Sequence, residues 1–228
     1  MLDLVARQHD VRLGVAIKIA QRDYLAEAIA PTPNRPEWSQ SAGADGAEAR
    51  TRSALRTWRE TVPLVGTMGE RYFVDRRGLD ISLLDIDHTL RWHLGTGAVV
   101  ALMTGAVSGE AIGIHRTFLD ADGAKVERKM LGRQGVVRLS PNSEVTTGLG
   151  ITEGVEDALA MLLSGWVPVW AATSSGAIAR FPVLAGIEAL TIFADADAPG
   201  MQAAEICATR WRAAGCETRI TSPSEVRL

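Results

Sequence analysis

Apolar positions along this chain follow several rhythms, and the main change comes near residue 145. Helical spacing dominates the start: Leu13, Ile17, Ala20 and Tyr24 fall on one face of a helix predicted over residues 2–28. Pro31, Pro33 and Pro36 then open a stretch rich in Pro, Ser, Gly and Ala, which reads as a linker to about residue 48. A second amphipathic helix is expected over 48–60, with Leu55, Trp58 and Val62 on one side and Arg52, Arg56 and Arg59 on the other. Thr67 and Glu70 have capping-box spacing for a short helix through residue 77, ended by Gly78, and another short helix is expected from Ser82. Between residues 89 and 139 the pattern turns to strands, at 89–94, 98–104, 111–119 and 136–139.

Beyond residue 148 strand and helix alternate, which argues for a parallel sheet built from crossover units. Strands are expected at 149–152, 167–171, 189–194 and 217–221, and helices at 155–164, 175–181 and 199–214. In the last helix Ala204, Cys207, Ala208 and Trp211 keep the i, i+3, i+4, i+7 rule, and Pro199 suits its first turn. The expected fold class is α/β: a Rossmann-like, four-stranded parallel sheet flanked by helices, preceded by a small mixed α+β domain. The corresponding divisions are 1–48 for the N-terminal helical segment and linker, 49–145 for the α+β subdomain, and 146–228 for the parallel-sheet domain.

Composition narrows the picture. A chain of 228 residues with 46% hydrophobic content can bury one core or two small ones. Its net charge of −3 excludes a polycation that holds nucleic acid by bulk charge, so any such contact must rest on local patches. The two cysteines, Cys207 and Cys216, fit neither a disulfide framework nor a four-ligand zinc site, and His88, His93 and His115 have no zinc spacing. No apolar run approaches the ~20 residues of a membrane helix, and the N-terminus lacks a signal-peptide pattern. A cytoplasmic setting without a membrane partner is the expectation. Trp92 and Trp170 are expected in the core rather than as base-stacking platforms.

Ligands of a parallel sheet sit beyond the carboxyl ends of its strands. Glu153 follows the first of these strands, and Asp195 and Asp197 follow the third, two residues apart and so on one side of an extended segment. Oxygen donors of this kind suit Mg²⁺, which takes one or two carboxylates and leaves its other positions to water and phosphate. Taken singly, Glu153 also reads as a charge favoured by a helix dipole, and an Asp in Asp-Ala-Asp-Ala-Pro-Gly as a helix cap. Their shared position favours a phosphoryl-transfer site. Glu156 and Asp157 are expected as dipole partners or as support behind it. Arg116, Lys125, Arg128, Lys129, Arg133 and Arg138, with His115 among them, crowd the region from 113 to 139, where either a solvated sheet face or a phosphate-binding surface accounts for the charge.

Three segments, Ile151-Thr-Glu-Gly-Val-Glu-Asp-Ala, Ala172-Thr-Ser-Ser-Gly and Phe193-Ala-Asp-Ala-Asp-Ala-Pro-Gly-Met-Gln-Ala-Ala, resemble the TOPRIM domain of primase-like proteins from phages and bacterial mobile elements. The likeness extends upstream to Arg71-Tyr-Phe-Val-Asp-Arg-Arg-Gly-Leu, Leu90-Arg-Trp-His, Gly113-Ile-His-Arg-Thr-Phe-Leu-Asp-Ala-Asp-Gly and Arg128-Lys-Met-Leu-Gly. The resemblance implies that Asp195 and Asp197 bind Mg²⁺, with Mn²⁺ as a substitute, and that Glu153 shares the metal or acts as general base. It also implies that Arg116, Arg128, Lys129, Arg133 and Gly200 meet a single-stranded DNA template or nucleoside triphosphates. Such proteins usually carry a Cys/His zinc module and often a helicase, and neither signature occurs in this sequence, so the chain resembles the catalytic core alone, with those functions expected on separate proteins. Primer synthesis is the leading expectation. Metal-dependent cleavage of nucleic acid, or binding without catalysis, is the alternative.

Overall fold

The computed structural model describes residues 38–222, and the helix expected over 2–28 lies outside them. Helix α1 (Trp38–Arg59) begins well before residue 48, inside the expected linker. Ala42, Ala44, Ala47 and Ala49 explain the difference, since alanine is the best helix former and outweighs the isolated Gly43 and Gly46. Ala54, fully buried, and Trp58 press on Val100, Leu102, Ile114 and Leu131 of the first sheet, while Arg52, Arg56 and Arg59 face outward.

Helix α2 (Met68–Arg71) starts at Thr67, whose hydroxyl accepts the Gly69 N–H at 3.1 Å. Glu70 takes the Gly66 N–H at 2.7 Å, so the expected capping box is shifted by one residue. The chain then widens into a π-helical turn at Tyr72–Arg76 and leaves it through Gly78 at φ +66°. In place of the helix expected from Ser82 there is a single 3₁₀ turn, Ile81–Leu83, capped by Asp80.

The first sheet is antiparallel throughout, in the order β1 (Leu90–His93), β2 (Ala98–Thr104), β3 (Ala111–Leu119) and β4 (Lys125–Gly132). The apolar pattern conceals β4 because Lys125, Glu127, Arg128 and Lys129 break it. Charge is nonetheless what an exposed edge strand uses to avoid unwanted pairing. One face of the sheet lies under α1. On the other, Val99, Ala101 and Met103 join Tyr72, Phe73, Leu90 and Trp92 in the main core.

The second sheet runs β5-β7-β6-β8-β9, with β5 (Val137–Arg138), β6 (Gly148–Thr152), β7 (Val169–Ala171), β8 (Ala189–Phe193) and β9 (Glu217–Thr221). Strands β6 to β9 are parallel and β5 is an antiparallel edge. Helix α3 (Val155–Leu163) covers one face through Val155, Ala158 and Leu159, which complete the main core. Helices α4 (Ser175–Ala179) and α5 (Ala198–Ala213) cover the other, where Phe181 stacks on the buried Trp211 with ring centroids 6.0 Å apart. The fold is therefore the expected α/β class: helices on both faces of a parallel sheet, preceded by a region built on an antiparallel one. The strand expected near 136–139 belongs to the second sheet. Ser140 holds it there by accepting the Val169 N–H at 3.1 Å, and the Arg138 guanidinium lies 4.2 Å from the centroid of the Trp170 ring. The described residues from 45 onward form one compact unit.

Candidate active site

Strands β6 and β8 are parallel neighbours with Thr152 opposite Phe193, so the chain emerges at Glu153 and at Asp195 from the same end of the sheet. Burial pushes the Glu153 carboxyl above its usual range, and the charge of Asp195 raises it further. Asp197 adds to the effect, while the Ser175 N–H bonded to Glu153 and the nearby Arg128 oppose it. Asp157 behaves alike: burial raises it, then the charges of Asp195 and Glu156, against hydrogen bonds from the N–H groups of Gly154 and of Asp157 itself. Acids that hinder one another's ionisation make a site that favours a cation.

In the sequence Asp157 reads as a helix-dipole partner or as support behind the site. It occupies the third position of α3 and reaches back to the N-H of Gly154, the N-cap residue, as the acid of a capping box does. The same carboxylate feels Asp195. Its spacing of four from Glu153 across a helix start was the available signal. The Ser175 N–H had no signal in the sequence, because it depends on how β7 turns into α4. That turn contains Thr173 at φ +75°, an outlier for a β-branched residue, whose N–H donates to the Glu153 carbonyl at 2.9 Å. Ser174 then caps α4 and accepts from Gln134 at 2.9 Å.

Asp197 is the N-cap of α5, and its Oδ1 accepts the Gly200 N–H at 2.8 Å. The capping reading therefore holds whatever else this carboxylate does. Gly200 has a steric reason: a Cβ there would lie 2.7 Å from the Asp195 carbonyl oxygen and 2.9 Å from Asp197 Oδ1. Only glycine lets α5 start tightly against the loop that carries both aspartates. Among the described residues no three His, Cys, Asp or Glu side chains close into a metal cage.

The pleat of the first sheet divides the basic residues. His115 and Thr117 on β3 pair with Met130 and Arg128 on β4, and this face looks toward the carboxylates. Lys125 reaches Glu156 at 3.3 Å, and burial, with Arg128 and Lys125 nearby, keeps the His115 imidazole below its usual range. Arg116 and Lys129 pair with each other on the opposite face, and Arg133 is exposed just past β4. Of the expected nucleic-acid residues, the structure thus brings Arg128 and Gly200 to the acidic site and leaves Arg116 and Lys129 elsewhere. Trp92 and Trp170 are core residues, with the Trp170 indole N–H bonded to the Ser140 carbonyl at 3.0 Å. Cys207 is a buried thiol pushed up to about 11 by burial.

Residues 148–227 match the Toprim domain family, and residues 48–139 match a domain of unknown function, DUF7146. The C-terminal region is therefore a Toprim domain, as the motifs implied. Among solved structures, the primase fragment of the bacteriophage T7 primase-helicase is 20% identical, with 57% of this chain and 55% of that chain covered and a TM-score of 0.42. The Aquifex aeolicus primase, comprising zinc-binding and RNA polymerase domains, is 14% identical, with 98% and 66% covered and a TM-score of 0.48. A DnaG primase catalytic domain bound to single-stranded DNA is 14% identical, with 76% and 71% covered and a TM-score of 0.47. The chain spans 55% and 66% of the first two of these primase chains. Among curated proteins none matches the chain. Among the described residues no helix is long and apolar enough to cross a membrane.

Proposed function

We propose that the chain is a primase-like nucleotidyltransferase, joining nucleoside triphosphates on a single-stranded DNA template. The observation that carries this reading is that Glu153 and Asp157 meet the charge of Asp195 at the carboxyl end of a Toprim sheet, where burial and that charge raise both carboxyls, with Arg128 beside Glu153. Hard oxygen donors that repel one another fit Mg²⁺ or Mn²⁺, and Mg²⁺ needs only one or two carboxylates when phosphate and water supply the rest. Asp195 and Asp197 would hold the ion. When bound, the ion neutralises charge developing on the phosphoryl oxygens.

The chain's own groups divide the remaining work. Glu153, its carboxyl raised by burial and oriented by the Ser175 N–H, takes the proton of the 3′ hydroxyl as that oxygen bonds the α-phosphorus of the incoming nucleotide and the bond to pyrophosphate, the leaving group, breaks. Arg128 and Lys125 draw the nucleotide phosphates toward the acidic edge. The sequence resemblance supports a role in replicating phage or mobile-element DNA, with a helicase and a zinc-binding protein as separate partners.

The test supplies single-stranded DNA, labelled ribonucleotides or deoxynucleotides, and Mg²⁺ to the full chain and to an Asp195→Asn/Asp197→Asn variant. Metal-dependent extension products that vanish in the variant are expected. Shortened DNA without nucleotides would replace synthesis by cleavage, and unaltered DNA with binding retained would overturn both enzymatic readings.

A further inference from the structure

Arg91 on β1, Val100 on β2, Arg116 on β3 and Lys129 on β4 occupy one register row across the antiparallel sheet. Neighbours in a row share a face, so three cations line up on the α1 side, opposite the carboxylates. Two rings support them. The Arg91 guanidinium lies 5.6 Å from the Trp58 centroid, while Arg116 and Lys129 lie 5.3 and 5.8 Å from that of Phe118.

Lys129 is paired with Glu127 at 2.7 Å. Among the described residues Arg91 and Arg116 make no ion pair, and the Nε of each is buried without a hydrogen-bond partner. Desolvated donors of this kind are normally answered, and none of the described residues answers these two. A guanidinium stacked on a ring keeps its outer edge free for the two oxygens of a phosphate. Because the cations themselves cover the rings, bases have little aromatic surface to stack on. Arg52, Arg56 and Arg59 extend the positive charge along the helix that lies on this face.

We infer that this face is a second nucleic-acid surface, separate from the carboxylate site, that grips the sugar-phosphate backbone of a single strand without reading its bases. The inference does not depend on the reaction at Glu153 and Asp195.

Fluorescence anisotropy of a labelled oligothymidylate, titrated with the full chain over a series of NaCl concentrations, tests it. Each phosphate contact on a single strand contributes about 0.7 to the slope of log affinity against log salt. An Arg91→Gln/Arg116→Gln/Lys129→Gln variant is therefore expected to lose about 2 from that slope and at least about tenfold in affinity at low salt. The charge-preserving Arg91→Lys/Arg116→Lys variant should keep the slope. Lys125→Gln/Arg128→Gln, on the carboxylate face, should leave the back-face component in place. If the triple variant melts early, the exposed Lys129→Glu alone carries the test, with a slope lower by at least about 0.7. Wild-type slope and affinity in the triple variant, with binding abolished by Lys125→Gln/Arg128→Gln, would overturn the inference and leave the catalytic reading standing.

Discussion

At the scale of single residues, Asp195 is the charge to which the neighbouring acids respond. It raises the carboxyl groups of both Glu153 and Asp157, after burial has already raised them. A carboxyl raised on folding contributes stability that is full below its unfolded value and is lost as pH rises through the folded one. The metal-free protein is therefore burdened at neutral pH, and Asp195→Asn relieves the burden. Its melting temperature in chelator at pH 7 should exceed that of the wild type by about 2 °C, an advantage that fades as pH falls and the raised carboxyls take up their protons. Mg²⁺ should reverse the order by stabilising the wild type more. A lower melting point for Asp195→Asn in chelator at pH 7 would show that the acids do not repel one another as described.

At the scale of elements, α5 makes Asp197 ambiguous in any alanine experiment. As N-cap it is worth about 1 kcal/mol, and alanine removes the cap together with the charge. Asparagine caps equally well. In urea denaturation Asp197→Ala should lose about 1 kcal/mol and Asp197→Asn little, while both lose metal-dependent activity. Gly200→Ala should cost about 1–3 kcal/mol, since its Cβ meets backbone at the Asp195 carbonyl rather than a side chain that can move aside. The same helix shows what the sequence made legible. Pro199, the apolar positions of α5 and the Asp-x-Asp before it encode local structure, and all were readable from spacing alone. Strand β4 was not, because its residues are polar on both faces and its strand character comes from pairing with β3. Missing β4 hid the alternation that sends Arg128 to one face and Arg116 and Lys129 to the other. The Ser175 N–H and the effect of Asp195 on Asp157 were hidden for a related reason, as both arise where segments distant in sequence meet.

At the scale of the whole molecule, Glu156 ties the first region to the Toprim domain. Its Oε1 accepts from the Tyr72 hydroxyl at 2.8 Å and from Lys125 at 3.3 Å, and Arg77 stands 3.8 Å away while donating to the same hydroxyl at 2.9 Å. One carboxylate on α3 thus meets the π-helical turn and β4 together, directly behind Asp157. Burial alone would raise Glu156, but the bonds from Tyr72, from its own N–H and from Lys125 outweigh it and hold the carboxyl below its ordinary 4.5. A lowered carboxyl contributes stability that is present above the unfolded value and lost as pH falls through the folded one. Tyr72 carries the opposite dependence: burial, then Glu156, pushes its hydroxyl up to about 12 from 10.0, so its contribution is full below pH 10 and lost as pH rises through the folded value. Tyr72→Phe removes the donor and leaves a buried carboxylate oxygen short of a partner. In urea denaturation it should cost about 1–3 kcal/mol at pH 7. The deficit should shrink as pH falls below Glu156's ordinary 4.5, and again as pH climbs from 10.0 toward about 12. A deficit that stays constant across pH would mean that only packing was lost, and that the Tyr72–Glu156 bond does not couple the two regions.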